Sequence, residues 1–396
     1  MPALLTIDEA LALVLRYALP LEAEAVPIEQ AAGRVPAEDV RALVSLPPFR
    51  SSAMDGFAVR VRETPGRLRV VDRIPAGRPA QRALAAGEAM GIATGGSVPD
   101  GADGVVPIEH VEDGGAEVVV SASVSEEDNI RGIGSDIGAG ELLLSAGSIL
   151  GAAQIGALAA AGVAAVRCAR RPRVAVLSTG TELRPPGSAL EPGQIYESNA
   201  PMLAAALAGS GAAVTRLPAV TDDPDSHRAA LERGLEADVL VSSGGVSVGP
   251  HDLVRRIAAE LGVEEIFWGV AVKPGKPVAF GVRGRTLVFG LPGNPVSALV
   301  GAELFVRPAL RALQGASIPE PAYAVGRLST PLRASPARDQ LIRARSRLEG
   351  GEVVLEPLSG QESHMIARAA GADTLVLVAR GDREHVAGDL VPFLRL

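Results

Sequence analysis

The sequence predicts a multidomain chain of α/β plus β class, in which a three-layer parallel α/β unit is joined to two smaller β units. Three observations predict it. From residue 172, apolar strands alternate with helical segments, the pattern of a parallel sheet with right-handed crossovers. Residues 46–138 and 318–396 instead carry short alternating stretches punctuated by Gly and Pro, the rhythm of small β units. Residues 1–45 and 139–170 share a helical and loop-like character, so the β unit between them reads as an insertion. The expected division is 1–45 with 139–170, 46–138, 171–317 and 318–396.

The first helix starts at Thr6, with Glu9 three residues on to complete a capping box. A second helix is expected from Pro27 through Glu29-Gln30-Ala31-Ala32 to a stop at Gly33. In the insertion, Leu68-Arg69-Val70-Val71 and Ala116-Glu117-Val118-Val119-Val120 read as strands. The apolar run 149–166 holds Gln154 and much Ala and Gly and is followed by Arg167, Arg170 and Arg171, which fits a buried helix better than a membrane span. It is expected to pack with residues 1–45. Strands are then expected at 173–177, 213–217, 238–242, 279–282 and 286–290, and helices at 199–211, 227–235, 252–261 and 295–313. Turns at Glu349-Gly350-Gly351 and Ala387-Gly388-Asp389 suit a small C-terminal β-barrel.

Composition limits the function. The 396 residues carry a net charge of −8 and no basic patch interleaved with aromatics, which argues against nucleic-acid binding. Aromatic content is 3% against 47% apolar residues, so the cores rest on Ala, Val, Leu and Ile. Cys168 is the only cysteine, leaving no disulfide framework and no thiolate zinc site. His110, His227, His251, His364 and His385 lack metal-ligand spacing. With no signal peptide and no membrane span read in it, the chain is expected to be cytoplasmic.

Only two lysines occur, Lys273 and Lys276, both within six residues, against 36 arginines. A compact ammonium fits a narrow oxyanion site that a planar guanidinium would not enter. Just beyond them, and after two earlier strands, come the loops from which ligands of parallel α/β sheets are held. They are Ser178-Thr179-Gly180-Thr181-Glu182-Leu183, Ser242-Ser243-Gly244-Gly245-Val246-Ser247-Val248-Gly249 and Gly290-Leu291-Pro292-Gly293-Asn294-Pro295. Small residues let amides face an anion, a helix N-terminus favours negative charge, and Pro295 suits a first helical position. Each loop alone also reads as a tight turn; three on one sheet edge read as a site. Glu182, Asp222 with Asp223, and Asp252 supply carboxylates of the kind that hold Mg²⁺ beside phosphates. Asp252 also reads as a helix cap and Asp222-Asp223 as a turn. A second candidate region is Pro47 through Ala58, with Met54-Asp55-Gly56 as an exposed turn, and Thr94-Gly95-Gly96 is similar. Glu109, Asn129, Arg131, Asp136 and Gly140 mark further polar turns.

Together these segments resemble the molybdopterin molybdenumtransferase family, the MoeA-like proteins that also form the C-terminal part of gephyrin. The resemblance runs nearly end to end. It rests on Ser-Ala-Met-Asp-Gly at 52–56, Thr-Gly at 94–95, Asn-Ile-Arg at 129–131, Ser-Thr-Gly-Thr-Glu-Leu at 178–183 and Ser-Asn at 198–199. Ser-Ser-Gly-Gly-Val-Ser-Val-Gly at 242–249, Lys-Pro-Gly-Lys-Pro at 273–277 and Leu-Pro-Gly-Asn-Pro-Val-Ser-Ala at 291–298 complete it. It implies an elongated four-domain homodimer whose α/β unit binds molybdopterin. The implied reaction turns adenylated molybdopterin and molybdate into molybdenum cofactor and AMP, with Mg²⁺. The family's functional positions fall on Asp55, Thr94, Glu182, Asp222, Asp252 and Lys273, with Arg343 and Ser363 in the C-terminal unit. Lys276 joins Lys273 as a stabiliser of negative charge, and Asp55 and Thr94 are expected to reach the α/β cleft of the other subunit. Partners implied are the molybdopterin adenylyltransferase and the apo-molybdoenzymes or their chaperones. Two other readings compete: a molybdopterin adenylyltransferase, and a non-catalytic dimeric scaffold or sensor that binds molybdate or pterin.

Overall fold

The computed structural model describes residues 4–221, 223–245 and 253–396. The first helix, Ile7–Tyr17, begins with the expected capping box: the Glu9 amide donates to Thr6 Oγ1 at 3.1 Å and the Thr6 amide to Glu9 Oε2 at 2.8 Å. Its buried stripe, Ile7, Ala10, Leu11 and Val14, recurs at helical spacing and packs into the core of the α/β sheet. This helix therefore covers the α/β unit rather than residues 139–170. What pairs with 139–170 is the stretch that follows it. Strand Ala23–Pro27 runs antiparallel to Ala165–Ala169, and Val40–Arg41 pairs with Leu142–Leu144. The expected second helix is reduced to a 3₁₀ turn, Ile28–Gln30, because a partner 140 residues away along the chain captures its start as a strand. The expected buried helix forms as Ala152–Ala160, but only Leu158 in it is buried, and the apolar run ends in strand Ala165–Ala169. Among the described residues no helix is long and apolar enough to cross a membrane.

The insertion is a six-stranded sheet in the order Gly104–Pro107, Gly56–Val59, Glu88–Ile92, Gly66–Ile74, Glu117–Val120, Val111–Asp113. Gly56 has to be glycine, since a Cβ there would lie 2.0 Å from the carbonyl oxygen of Val106.

The α/β sheet also has six strands, ordered Ala213–Arg216, Arg173–Ser178, Val239–Ser243, Thr286–Leu291, Ala279–Arg283, Glu264–Trp268. The first four are parallel, as expected. The last two are antiparallel additions: Ala279–Arg283 folds back on Thr286–Leu291 through a hairpin at Gly284, whose φ is +59°, and Glu264–Trp268 pairs with it at the edge. Helices Asn199–Ala208, Pro224–Gly234 and Leu253–Glu260 fall where the spacing predicts them. The long helical run contains a π turn, Ala302–Val306, between Pro295–Gly301 and Arg307–Leu313.

At the C-terminus five strands close a barrel. Asp339–Glu349 pairs with Glu352–Pro357, that with Ala324–Leu328, that with Leu390–Arg395, that with Thr374–Val378, which returns to Asp339–Glu349. Val272–Lys273 adds to the barrel as a sixth, parallel strand, with Lys273 opposite Gln340.

Candidate functional site

Three neighbouring parallel strands end level with one another: Ser178 is in register with Ser243, and Ser243 with Leu291. Their loops consequently leave the sheet side by side and enclose a cavity of about 740 Å³. Ser178, Thr179, Gly180, Glu182, Ser243, Gly244, Gly245, Pro292, Gly293 and Asn294 all line it, so most of the predicted loop residues converge. Ser247 and Gly249 lie outside the described residues, as do Asp222 and Asp252.

The backbone of these loops is dictated by crowding. Gly244 and Gly245 have φ of +93° and +65°, and a Cβ on either would come 2.7 Å from Thr179 or Val254. The amides are not all turned inward, as a uniform cradle would require. Thr179 donates to Ser243 O, Gly180 to Val220 O and Gly244 to Leu291 O. Among the described residues, the amides of Gly245, Gly293 and Asn294 donate to no protein group, which leaves these three for an anion.

Two residues outside the predicted catalytic, binding and metal sets hold it together. Glu197 Oε1 accepts from Ser178 Oγ at 2.9 Å and from the Ala200 amide at 2.7 Å, fastening the first strand end to the start of helix Asn199–Ala208. Asn199 Nδ2 donates at 2.7 Å both to Ser243 Oγ and to the Gly293 carbonyl, so one side chain links the second and third loops. Its Oδ1 is buried and has no partner among the described residues. An orphaned buried acceptor costs about 1–3 kcal/mol unless a ligand or water meets it. Asn199 is one of only three asparagines in the chain, and the resemblance already marks it in the Ser-Asn pair at 198–199. His364 also lines the cavity.

Glu182 lies exposed over Gly180, with no ion pair among the described residues; a Cβ on Gly180 would lie 2.7 Å from both carboxylate oxygens. Lys273 and Lys276 are not among the lining residues, although Pro277 is. Neither ammonium meets a carboxylate at ion-pair distance among the described residues, so both stay uncompensated. Asp223 caps helix Pro224–Gly234 by accepting from the Ser226 amide at 2.8 Å, and the Ser226 hydroxyl first and then this amide hold its carboxyl below the usual range.

Arg343 and Ser363 sit differently from the expectation of direct ligand contact. Arg343 is buried and gives its guanidinium to the carbonyls of Met365, Gly360 and Glu362. Burial disfavours its charge. It moulds the 360–365 loop rather than lining the cavity. Ser363 then docks that loop: its Oγ accepts from Asn294 Nδ2 at 2.8 Å and its carbonyl accepts from the Val296 amide at 3.1 Å.

Asp55 lines a separate depression of about 350 Å³ on the inserted sheet, which shares no lining residue with the cavity, and Thr94 is its hydrogen-bond partner. Asp55 Oδ1 accepts from the Thr94 amide at 2.7 Å and from its hydroxyl at 3.1 Å, and these bonds lower the carboxyl's pKa.

Known proteins share this arrangement. Residues 5–162 match the model of the MoeA N-terminal region (domain I and II), 175–312 that of a probable molybdopterin binding domain, and 325–396 that of the MoeA C-terminal region (domain IV). A curated relative from Mycobacterium tuberculosis, molybdopterin molybdenumtransferase 2, is 39% identical over 378 residues, 92% of each chain. The chain belongs to the MoeA family of molybdopterin molybdenumtransferases. The Bacillus subtilis member, molybdopterin molybdenumtransferase, is 33% identical over 98% of this chain and 93% of its own. A crystal structure of a MoeA protein of molybdopterin biosynthesis from Pyrococcus horikoshii superposes with a TM-score of 0.82 at 33% identity, covering 99% of both chains. A second structure from that organism gives 0.85 at 27% identity.

Proposed function

We propose that the chain inserts molybdenum from molybdate into adenylated molybdopterin, releasing AMP and leaving molybdenum cofactor. The observation that carries this reading is the level ending of three parallel strands at Ser178, Ser243 and Leu291, which gathers the ligand loops of a MoeA-family chain into one cavity. Relatives named molybdenumtransferase match nearly end to end, so an adenylyltransferase or a mere scaffold is not favoured.

The chemistry is hydrolytic and electrostatic: the phosphoanhydride P–O bond to AMP breaks, water supplies the new oxygen, and the pterin keeps its phosphate. The amides of Gly245, Gly293 and Asn294 hold that phosphate, with Ser247 and Gly249 as further loop donors. Asn199 Oδ1 takes a donor hydrogen from the ligand, which relieves its isolation. Lys273 and Lys276 stabilise negative charge on molybdate or the phosphates. Glu182, an oxygen donor in the cavity with no ion pair among the described residues, fits Mg²⁺, an ion that takes one or two carboxylates and completes its shell with water and phosphate. Asp222 and Asp252 are the other proposed ligands. When bound, Mg²⁺ polarises the anhydride.

The reading includes a homodimer in which Asp55 and Thr94 of the partner subunit complete the cleft, supported by the isolation of that turn from the cavity within one chain. It also includes a cytoplasmic location, delivery of substrate by the adenylyltransferase, and hand-over to apo-molybdoenzymes or their chaperones. The four-unit division given above is part of the same reading. The test supplies purified adenylated molybdopterin, molybdate and Mg²⁺ and measures AMP and cofactor together. AMP release that depends on molybdate and on Mg²⁺ is expected; absence of molybdate-dependent AMP overturns the reading.

A further inference from the structure

A second cavity, of about 440 Å³, lies between the 32–35 turn and Ile149 on one side and the helix ends around 208–211 and 307–316 on the other. It falls within the about 300–1,000 Å³ of small-molecule sites. Its lining carries four guanidinium groups, Arg34, Arg171, Arg307 and Arg311, and no carboxylate among the described residues. Two of the four are compensated: Arg34 Nη2 meets Glu24 at 2.7 Å and Arg307 Nη1 meets Glu303 at 2.5 Å. Arg311 touches only the carbonyls of Pro319 and Glu320, and Arg171 makes no ion pair among the described residues. Two positive charges therefore remain, in a chain whose net charge is −8. Burial first and then the neighbouring Arg307 press against the charge of Arg311, and Glu303 offsets them only in part, the situation an anion would relieve.

The cavity is also built, not merely charged. Arg34 is 6% exposed, and its Nε is buried with no partner among the described residues. Arg307 Nε is aimed by Ser210 Oγ at 2.9 Å. Gln314, 4% exposed, is fixed by Nε2 bonds of 2.9 Å to the carbonyls of Ser210 and Leu310. Its Oε1 fills the place of a side chain at Gly211, where φ is +83° and a Cβ would come within 2.7 Å.

We propose that this arginine-lined cavity is a second anion site, for a small tetrahedral dianion, either free or as a phosphomonoester. Guanidinium forks pair with such oxygens bidentately. The site is independent of the sheet-edge cavity, since the two share no lining residue.

The test uses the full chain carrying Lys273→Ala and Lys276→Ala, so that the two lysines do not report. Inorganic phosphate, molybdate and ribose 5-phosphate are titrated calorimetrically into it, with and without Arg171→Gln and Arg311→Gln. One saturable equivalent per chain is expected, weakened roughly tenfold or more by the arginine changes. In an otherwise wild-type chain the arginine changes alone should leave turnover unaltered. Should the pair fail to fold, Arg171→Gln alone, at an exposed position, is expected to weaken binding about threefold. Tighter binding of ribose 5-phosphate assigns the phosphomonoester; equal or tighter binding of the inorganic ions assigns the free oxyanion. No saturable binding, or binding indifferent to the arginines, overturns the proposal.

Discussion

The sheet-edge cavity and the Asp55 turn present their polar groups in opposite ways. In the cavity, strand ends from three places in the sequence are bound to one another by Glu197 and Asn199, all of one chain. At the Asp55 turn a single residue, Thr94, makes both bonds to a single carboxylate oxygen, and among the described residues none of the three ligand loops lines the depression there. The first has the construction of a binding pocket. The second has that of a half-site, a charged group held rigidly and offered outward. The contrast supports a division of labour in which one surface binds the substrate and another completes it.

The comparison can be broken most decisively at Glu182. Glu182→Gln keeps the size and the exposed setting but removes the charge. Turnover is expected to fall about 10²- to 10³-fold, with the melting temperature unchanged. Next, Asp55→Asn should be nearly inactive alone, and co-refolding it with the Glu182→Gln chain should restore about a quarter of wild-type activity, because half of the dimers then hold one intact site. No recovery on mixing would mean that both residues serve the same subunit. Arg343→Met tests whether the 360–365 loop is scaffold: its carbonyls lose three donors, so denaturant unfolding should show a loss of about 3 kcal/mol. Lys273→Arg is expected to raise the molybdate KM about tenfold with the fold intact, and wild-type kinetics would remove the lysine from the site. The smallest effect is at Thr94. Its hydroxyl helps keep the Asp55 carboxyl ionised below the usual carboxylate range, so Thr94→Val should move the Asp55 pKa upward, and with it the acid limb of the activity profile. An unchanged limb would detach Asp55 from the rate.

Much of this was legible in the sequence because it is local. Hydroxyls and glycines at strand ends, such as Ser178-Thr179-Gly180 and Ser243-Gly244-Gly245, announce both the turn and its purpose, and Thr6 with Glu9 encodes its own cap. What escaped depends on distant partners. Ala23–Pro27 has a helix-like neighbourhood but becomes a strand through Ala165–Ala169. Glu264–Trp268 opens with two exposed glutamates and so reads as a loop, until an edge of the sheet needs it. Glu197 looks like any surface acid, and only the fold brings Ser178 Oγ to it. Arg343 carries the right charge for a ligand contact, yet three carbonyls take it up first.

Lys273 belongs by its backbone to the barrel's ladder, as the rung opposite Gln340, while the glycine loops hang from the α/β sheet. Charge and cradle are thus mounted on separate frames. A mutation, a proteolytic cut or a docking protein that displaces the barrel drags the ammonium with it and reaches the loops through Ser363, at Asn294 and Val296. Anion affinity in this chain becomes a gauge of how stiffly the two frames are bolted together, readable without touching a single loop residue.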